Sequence, residues 1–467
     1  MKIVLIAGSV SGEKRYGKYK DVGSYMPPYG LLCVAAVLEK NGCAVKIIDT
    51  EINNYTEADI LHQIKDFDPD LIGMSVFTIG SREAIERAKE IKRTLDLPIV
   101  AGGPHTFVDM DNFCKNESFD YFVIGEGEQT MVELVRALET GGSLSDIAGL
   151  AYRVDGKIVR NPDRPFIEDL DSLPLPAYHL LENRDFYHPS PLGYRFRPFY
   201  PFVTSRGCPF GCVFCSTIWG RKWRANSAEY VINAVEKIVK DFGAREIWFC
   251  EDTFSLNKDR VKKICSGIIE RNLKLSWTCM ANVHTLDEET LSLMKRAGCW
   301  QIQMGLESGN NEVLKFIGKP ITVEIVREKV NMIAKMGIQP RAYFILDHLV
   351  DTEKTMQETI DFALSLPLYS ADFHLLQLPL GSRAREIGHE YGKVNLDLDL
   401  LTGYSSKGLS FVPKGMTEEY LIKKQKNSHL QFFLRPSQII RMLGSIKSIE
   451  DVKRFNLLFK AFLKTIF

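Results

Sequence analysis

Short, nearly continuous apolar runs alternate with amphipathic stretches through the first 140 residues. KIVLIAG from Lys2, AVKIIDT from Ala44, LIGMSVF from Leu71, PIVAGG from Pro98 and YFVIGEG from Tyr121 have the nearly continuous hydrophobicity of strands buried on both faces. PPYGLLCVAAVLEKNG, and the stretches near Glu57 to Phe67 and Arg82 to Leu95, carry helical periodicity instead. Strand and helix in strict alternation predict an α/β, doubly wound (Rossmann-like) parallel sheet over residues 1–140. Between 141 and 197 the rhythm breaks: Gly141, Gly142, Pro162, Pro165, Pro174, Pro176, Pro189 and Pro191 lie among aromatics, and this composition predicts a linker that wraps rather than folds. Alternation returns with PFVTS, EIWFCED, LSWTCMA, WQIQMGLES, RAYFIL and ADFHLLQL, each followed by a helical stretch. These predict a partial TIM-like (β/α)6 barrel over 198–390, with a helical C-terminal region over 391–467.

Charge and cysteine usage narrow the partners. Lys+Arg and Asp+Glu both number 59, so no global basic field draws the chain to nucleic acid, and no nucleic-acid partner is expected. The opening MKIVLIAG turns polar too early for a signal peptide, and no later stretch reaches the length of a transmembrane segment, so a cytoplasmic protein is expected. Ten cysteines at scattered spacing then read as reduced thiols with metal or catalytic uses.

Three of them are grouped. Cys208, Cys212 and Cys215 stand in TSRGCPFGCVFCS directly after the first barrel strand, on the face where βα barrels build their chemistry. Thiolates are the soft ligands of iron–sulfur clusters, and three of them can hold three irons of a 4Fe-4S cluster while leaving the fourth open. A structural zinc site would ask for a fourth Cys or His, and none stands nearby in sequence.

With Phe214 directly before the third cysteine, residues 196–390 resemble the radical S-adenosylmethionine (SAM) superfamily. The resemblance implies that Cys208, Cys212 and Cys215 carry the catalytic cluster. It implies that the open iron chelates SAM, whose reductive cleavage gives a 5'-deoxyadenosyl radical, with electrons from an external donor such as flavodoxin or ferredoxin. Glu251 and Asp252 in IWFCEDTF match the place where the family grips the methionyl amine, and Glu307 and Ser308 in MGLESGN match its carboxylate and ribose contacts. Asn282 in WTCMANV stands where relatives often carry arginine. Asp252 could instead cap a helix, as could Ser308 for one starting near Asn310. Asp347 and His348 replace a Gly- and Pro-containing turn; an exposed turn is the first reading and acid–base groups the second.

Residues 2–138, with strand-end residues Asp49, Ser75, Gly102, Gly103 and Gly125, resemble the cobalamin-binding domain that precedes the barrel in one class of these enzymes. The resemblance implies cobalamin as a third cofactor. Where a protein histidine ligates cobalt in such domains, it follows an Asp in Asp-x-His-x-x-Gly. Here Thr50 and Glu51 follow Asp49, so cobalt without protein imidazole is expected; His105 lies on another strand. Cys33, Cys43 and Cys114 read as buried hydrophobes rather than a second cluster. The function so implied is a cobalamin-dependent methyltransferase acting on an unactivated carbon of a small-molecule substrate. An apolar or lipid-like substrate would suit the aromatic, leucine-rich C-terminus. The alternatives are a cobalamin-independent radical enzyme for cyclisation, carbon–carbon coupling or rearrangement, and a non-catalytic iron–sulfur or zinc binding module.

Overall fold

Strands form where the apolar runs are densest. The computed structural model describes residues 1–8, 10, 12–52, 55–402, 408–446 and 448–466. It divides into one unit of Met1–Gly17 with Tyr25–Tyr187 and another of Lys18–Ser24 with His188–Phe467. In the first unit β1 (Lys2–Ala7), β2 (Ala44–Asp49), β3 (Leu71–Ser75), β4 (Ile99–Gly102) and β5 (Tyr121–Val123) run parallel in the order β2-β1-β3-β4-β5. This is the flavodoxin-like order, whose switch point lies between β1 and β3 and directs ligands to the strands' carboxyl ends.

The stretch expected as a linker carries two more strands. β6 (Leu150–Val154) and β7 (Lys157–Arg160) extend the same sheet as an antiparallel hairpin. Asp155 at φ 49° and Gly156 at φ 76° make its two-residue turn. An Asp-Gly pair between alternating runs is the strongest short-range hairpin signal, and here the surrounding prolines mask it.

The second unit begins with β8 (Phe199–Phe202), followed by the two-residue strands β9 (Ser205–Arg206) and β10 (Arg224–Ala225). Then come β11 (Glu246–Phe249), β12 (Ser276–Met280), β13 (Cys299–Glu307), β14 (Gln339–Ile345) and β15 (Ser370–His374). The sheet order β15-β14-β13-β12-β11-β8 is parallel throughout, as a partial barrel requires. Phe249 stacks on Phe254 with centroids 4.7 Å apart and meets Trp277 edge-on at 5.3 Å. The C-terminal region is helical from Glu418, but a small hairpin of β16 (Gly392–Val394) and β17 (Phe411–Pro413) precedes the helices.

At the amino-terminal end of the barrel strands the fully buried Glu246 closes the structure. Its Oε2 accepts the Arg195 and Phe196 amides at 2.7 and 2.8 Å, and its Oε1 accepts the Trp300 indole N–H at 2.9 Å. Burial pushes its carboxyl up to about 7. Glu246→Ala strands one buried and two part-buried donors and should destabilise the second unit by about 2–5 kcal/mol. Urea unfolding followed by tryptophan fluorescence checks this; an unchanged midpoint would remove Glu246 from the closure.

Candidate functional site

The β9–β10 pair closes the cysteine loop at its base, with Arg206 opposite Arg224 and Ser205 opposite Ala225. Where the two ends cross, Gly207 has φ 86°, and a Cβ there would sit 2.2 Å from the Lys222 carbonyl oxygen. Only glycine fits. The Cys208 amide donates to the Gly220 carbonyl at 3.2 Å and the Cys215 amide to the Cys212 carbonyl at 3.1 Å. Later segments hold the loop from outside: Val213 N–H donates to the Ile317 carbonyl at 2.9 Å, the Ser216 hydroxyl to Leu380 at 2.7 Å, and Ala384 N–H to Val213 at 2.9 Å.

Cys208 and Cys212 are half-buried and Cys215 is exposed. Burial raises all three thiols, Cys215 to about 11, and they lie within charge-interaction range of one another. Among the described residues no group of three or more His, Cys, Asp or Glu side chains is close enough to hold a single metal ion. Ligands of a cluster attach to separate irons and stand further apart than ligands of one ion. Three soft donors on one pinned loop therefore fit a 4Fe-4S cluster with an open corner.

Polar side chains from the strand ends gather around this loop. Glu251, after β11, is buried; its Oε1 accepts the Thr204 hydroxyl at 2.5 Å, while Oε2 has no hydrogen-bond partner. Burial pushes its carboxyl up to about 7. Asp252 is exposed and within charge range of Cys208 and Cys215. Asn282 Oδ1, after β12, lies 2.7 Å from His284 Nδ1, and the His284 ring meets Phe210 of the cysteine loop edge-on at 5.3 Å.

Glu307 is placed by a backbone irregularity. The β13–β14 register slips between Gly305 and Glu307, and Glu307 itself takes φ 64°. A non-glycine residue in the left-handed region at a bulge marks a side chain that has been re-aimed. The carboxylate turns back over Gly305, where a Cβ would come 2.2 Å from Glu307 Oε1 and 3.1 Å from Lys319 Nζ. Lys319 Nζ donates to Glu307 Oε1 at 3.0 Å, with the two side chains only 14% and 8% exposed. Burial alone would lower the Lys319 ammonium, but Glu307 and the Cys212 and Cys208 thiols hold it above its ordinary value.

Ser308 is fully buried, its hydroxyl 3.2 Å from that of Thr359 and accepting the Asn310 amide at 3.2 Å. The following helix, Asn311–Phe316, is capped by Asn310 instead. Asp347 and His348 do not form an exposed turn, being 0% and 1% exposed. Leu349 packs in a core against Phe214, and Asp347 Oδ1 accepts the Leu376 amide at 2.5 Å, so the segment is drawn inward. Asp347 Oδ2 and His348 Nε2 lack hydrogen-bond partners. Burial raises Asp347 to about 8 and lowers His348 to about 3; the His348 ring lies 5.5 Å from Phe214. Thr204, His284 and Lys319 went unremarked in the sequence, Lys319 because Gly-Lys-Pro reads as a plain turn. Its neighbour Gly318, at φ 70°, packs so tightly that a Cβ would meet the Gly211 carbonyl oxygen at 3.1 Å.

In the first unit, Asp49 Oδ2 accepts the Tyr187 hydroxyl at 2.9 Å and Oδ1 the Glu51 amide at 3.0 Å. Gly103, at φ 100°, would bring a Cβ within 3.1 Å of Ser75 Oγ and the Val76 backbone. Close approach between β3 and β4 thus dictates this glycine, whereas a Cβ at Gly102 would meet Val123 at an ordinary 3.7 Å and one at Gly125 nothing at all. The His105 ring is buried edge-on against Phe113 at 4.9 Å. Cys43 is buried, while Cys33 and Cys114 are half-buried.

Residues 202–363 match the radical SAM superfamily and residues 20–135 match the B12 binding domain. The chain is 36% identical over 449 residues to an uncharacterized methyltransferase of Pyrococcus horikoshii, covering 94% of each. It is 26% identical to the cytidylyl-2-hydroxyethylphosphonate methyltransferase of Streptomyces wedmorensis, covering 83% of this chain and 82% of that protein. The structure of the cobalamin-dependent SAM radical enzyme OxsB, with aqua-cobalamin and SAM bound, shares the fold at a TM-score of 0.76 and 19% identity, covering 99% of this chain and 71% of that one.

Lys319→Met leaves the Glu307 carboxylate buried without its cation and should cost about 3 kcal/mol of stability, while Lys319→Arg keeps the charge and recovers most of it. Chemical denaturation of the three proteins decides; equal midpoints for all would mean the pair carries no stability.

Proposed function

The chain belongs to the radical SAM superfamily, in the class with an N-terminal B12 binding domain, and from that premise we propose how its residues divide the work of a cobalamin-dependent methyltransferase acting on an unactivated carbon. It is an enzyme whose cofactors are a 4Fe-4S cluster, SAM and cobalamin. When bound, the cluster and its donor supply the electron that cleaves SAM, and cobalamin carries the methyl group. The observation that carries the reading is the pinned Cys208, Cys212 and Cys215 loop in a chain that also holds the β2-β1-β3-β4-β5 sheet.

Cys208, Cys212 and Cys215 would hold the cluster, and Phe214, packed against His348, would shield the cysteine loop from water. The unpartnered, buried Glu251 Oε2 would accept an N–H of the methionyl amino group, while the exposed Asp252 and the half-buried Asn282 offer further contacts. The Glu307–Lys319 pair sets a fixed dipole beside the thiols, and Lys319 offsets their negative charge. Ser308 acts by holding the turn after Glu307 through Asn310 and Thr359. Asp49, Ser75, Gly102, Gly103 and Gly125 line the strand ends that receive cobalamin. His105 offers no imidazole there, since its ring faces Phe113.

The substrate is a small molecule. A hydrogen-bonded row crosses three adjacent barrel strands, from Tyr343 hydroxyl to Gln303 Oε1 at 2.5 Å and from Gln303 Nε2 to Thr278 Oγ1 at 3.2 Å. The row lies on the sheet face opposite Phe344 and Phe373, which stack together at 5.6 Å. It suits a substrate that presents polar groups beside the carbon to be methylated. Among the described residues no helix is long and apolar enough to cross a membrane.

Replacing Cys208, Cys212 and Cys215 together by alanine should abolish cluster iron and 5'-deoxyadenosine release under reduction, yet leave cobalt bound after anaerobic reconstitution with hydroxocobalamin. Retained iron would overturn the ligand assignment, and failure of the native protein to bind cobalt would remove cobalamin.

The raised Glu251 carboxyl predicts a pH dependence. Below about 7 it is protonated and becomes a poorer acceptor for the methionyl amino N–H, so SAM affinity should rise as pH increases through about 7. Glu251→Gln should weaken binding by about 1–3 kcal/mol and flatten that rise. Equilibrium binding of SAM across this range tests both, and a native profile as flat as the variant's refutes the contact.

A further inference from the structure

We infer that the last two helices form a surface that docks on an anionic lipid bilayer. The helices Pro436–Gly444 and Ile449–Ile466 present their contacts inside out compared with an ordinary surface helix. The first is tied to the barrel by polar groups: Gln438 Nε2 donates to the Tyr369 carbonyl at 2.5 Å, and Arg435 and Arg441 donate to the Leu364 and Leu368 carbonyls. Its outer side carries Ile440, 70% exposed, and Leu443, 63% exposed, with no acid among them. The second is anchored by the buried Arg454, which pairs with Asp451 and donates to the Pro191 carbonyl at 3.1 Å. Its outer side shows Ile449, Val452 and Phe459 beside the exposed Lys453 and Lys460.

Charge selects the occupant. Residues 434–467 hold seven Lys or Arg against two Asp or Glu, although the whole chain balances at 59 each. Arg435, Arg441 and Arg454 turn to backbone carbonyls and Lys464 pairs with Asp21 at 2.8 Å, so Lys453 and Lys460 are the outward cations among the described side chains. Both acids are engaged, Asp451 with Arg454 and Glu450 with Arg245 at 3.6 Å. Protruding aliphatic side chains flanked by lysines, with no acid left to repel phosphate, is the chemistry of a helix lying in the headgroup region. Neither helix crosses a bilayer, so the attachment is peripheral. The surface stands apart from the reading of the barrel site and does not depend on it.

The test is co-sedimentation of the full chain with vesicles of phosphatidylcholine alone and of phosphatidylcholine with one quarter phosphatidylglycerol. Binding should favour the anionic vesicles at least about tenfold and weaken with salt. Ile440→Glu with Leu443→Glu should lower it at least about tenfold by removing the inserted side chains, and Lys453→Glu with Lys460→Glu by a similar factor through charge. All four positions are exposed, and unchanged circular dichroism and iron content confirm that the variants fold. No binding to anionic vesicles, or equal binding by the variants, overturns the inference. So does a dimer in sedimentation velocity that Ile440→Glu with Leu443→Glu dissociates, which would make a second copy the occupant.

Discussion

Three thiols on one loop serve one cluster best when the protein, and not only the metal, settles the loop's shape. Almost every feature of the second unit answers that demand. The β9–β10 pair and Gly207 close the loop at its base, and hydrogen bonds from Val213, Ser216 and Ala384 tether it to segments that follow β13 and β15. Loops of this length usually lie on the surface and move. Here the barrel strands supply the rigid frame and the loop borrows it.

The same frame explains why polar groups are buried beside the loop without full hydrogen bonding. An unpaired buried carboxyl oxygen or imidazole nitrogen is costly, so Glu251 Oε2, Asp347 Oδ2 and His348 Nε2 are departures from ordinary folding economy. They cluster at the carboxyl ends of β11 and β14, the barrel face where cofactor chemistry is built. Glu307 joins them through a different expense, a left-handed backbone at a bulge. Several local rules are thus broken beside the cysteine loop, as they are at functional sites.

Much of this was legible in the chain itself. Apolar runs such as KIVLIAG located the parallel strands because a strand buried on both faces has no polar positions to interrupt it. The cysteine loop was legible because ligand spacing is local. What depends on distant packing was not: Asp347 and His348 read as an exposed turn because their burial comes from Leu349, Phe214 and Leu376. Lys319 found its partner through a register slip no periodicity encodes, and Ser308's place under Thr359 is set fifty-one positions away. The β6–β7 hairpin was hidden by composition, since prolines around it outweighed the Asp155-Gly156 signal.

The tethers of the cysteine loop also impose a timetable. Ser216 and Leu380 are 164 residues apart, so a ribosome adding about 5–20 residues per second delivers the second roughly ten to thirty seconds after the first. Throughout that interval the nascent chain carries three thiols held only by the local β9–β10 closure and, late in it, by Ile317. Iron delivered early meets a floppy chelator, and oxidant arriving early meets reactive sulfur. Productive metallation therefore belongs after β15 and the segment beyond it have been made, when they have locked the loop.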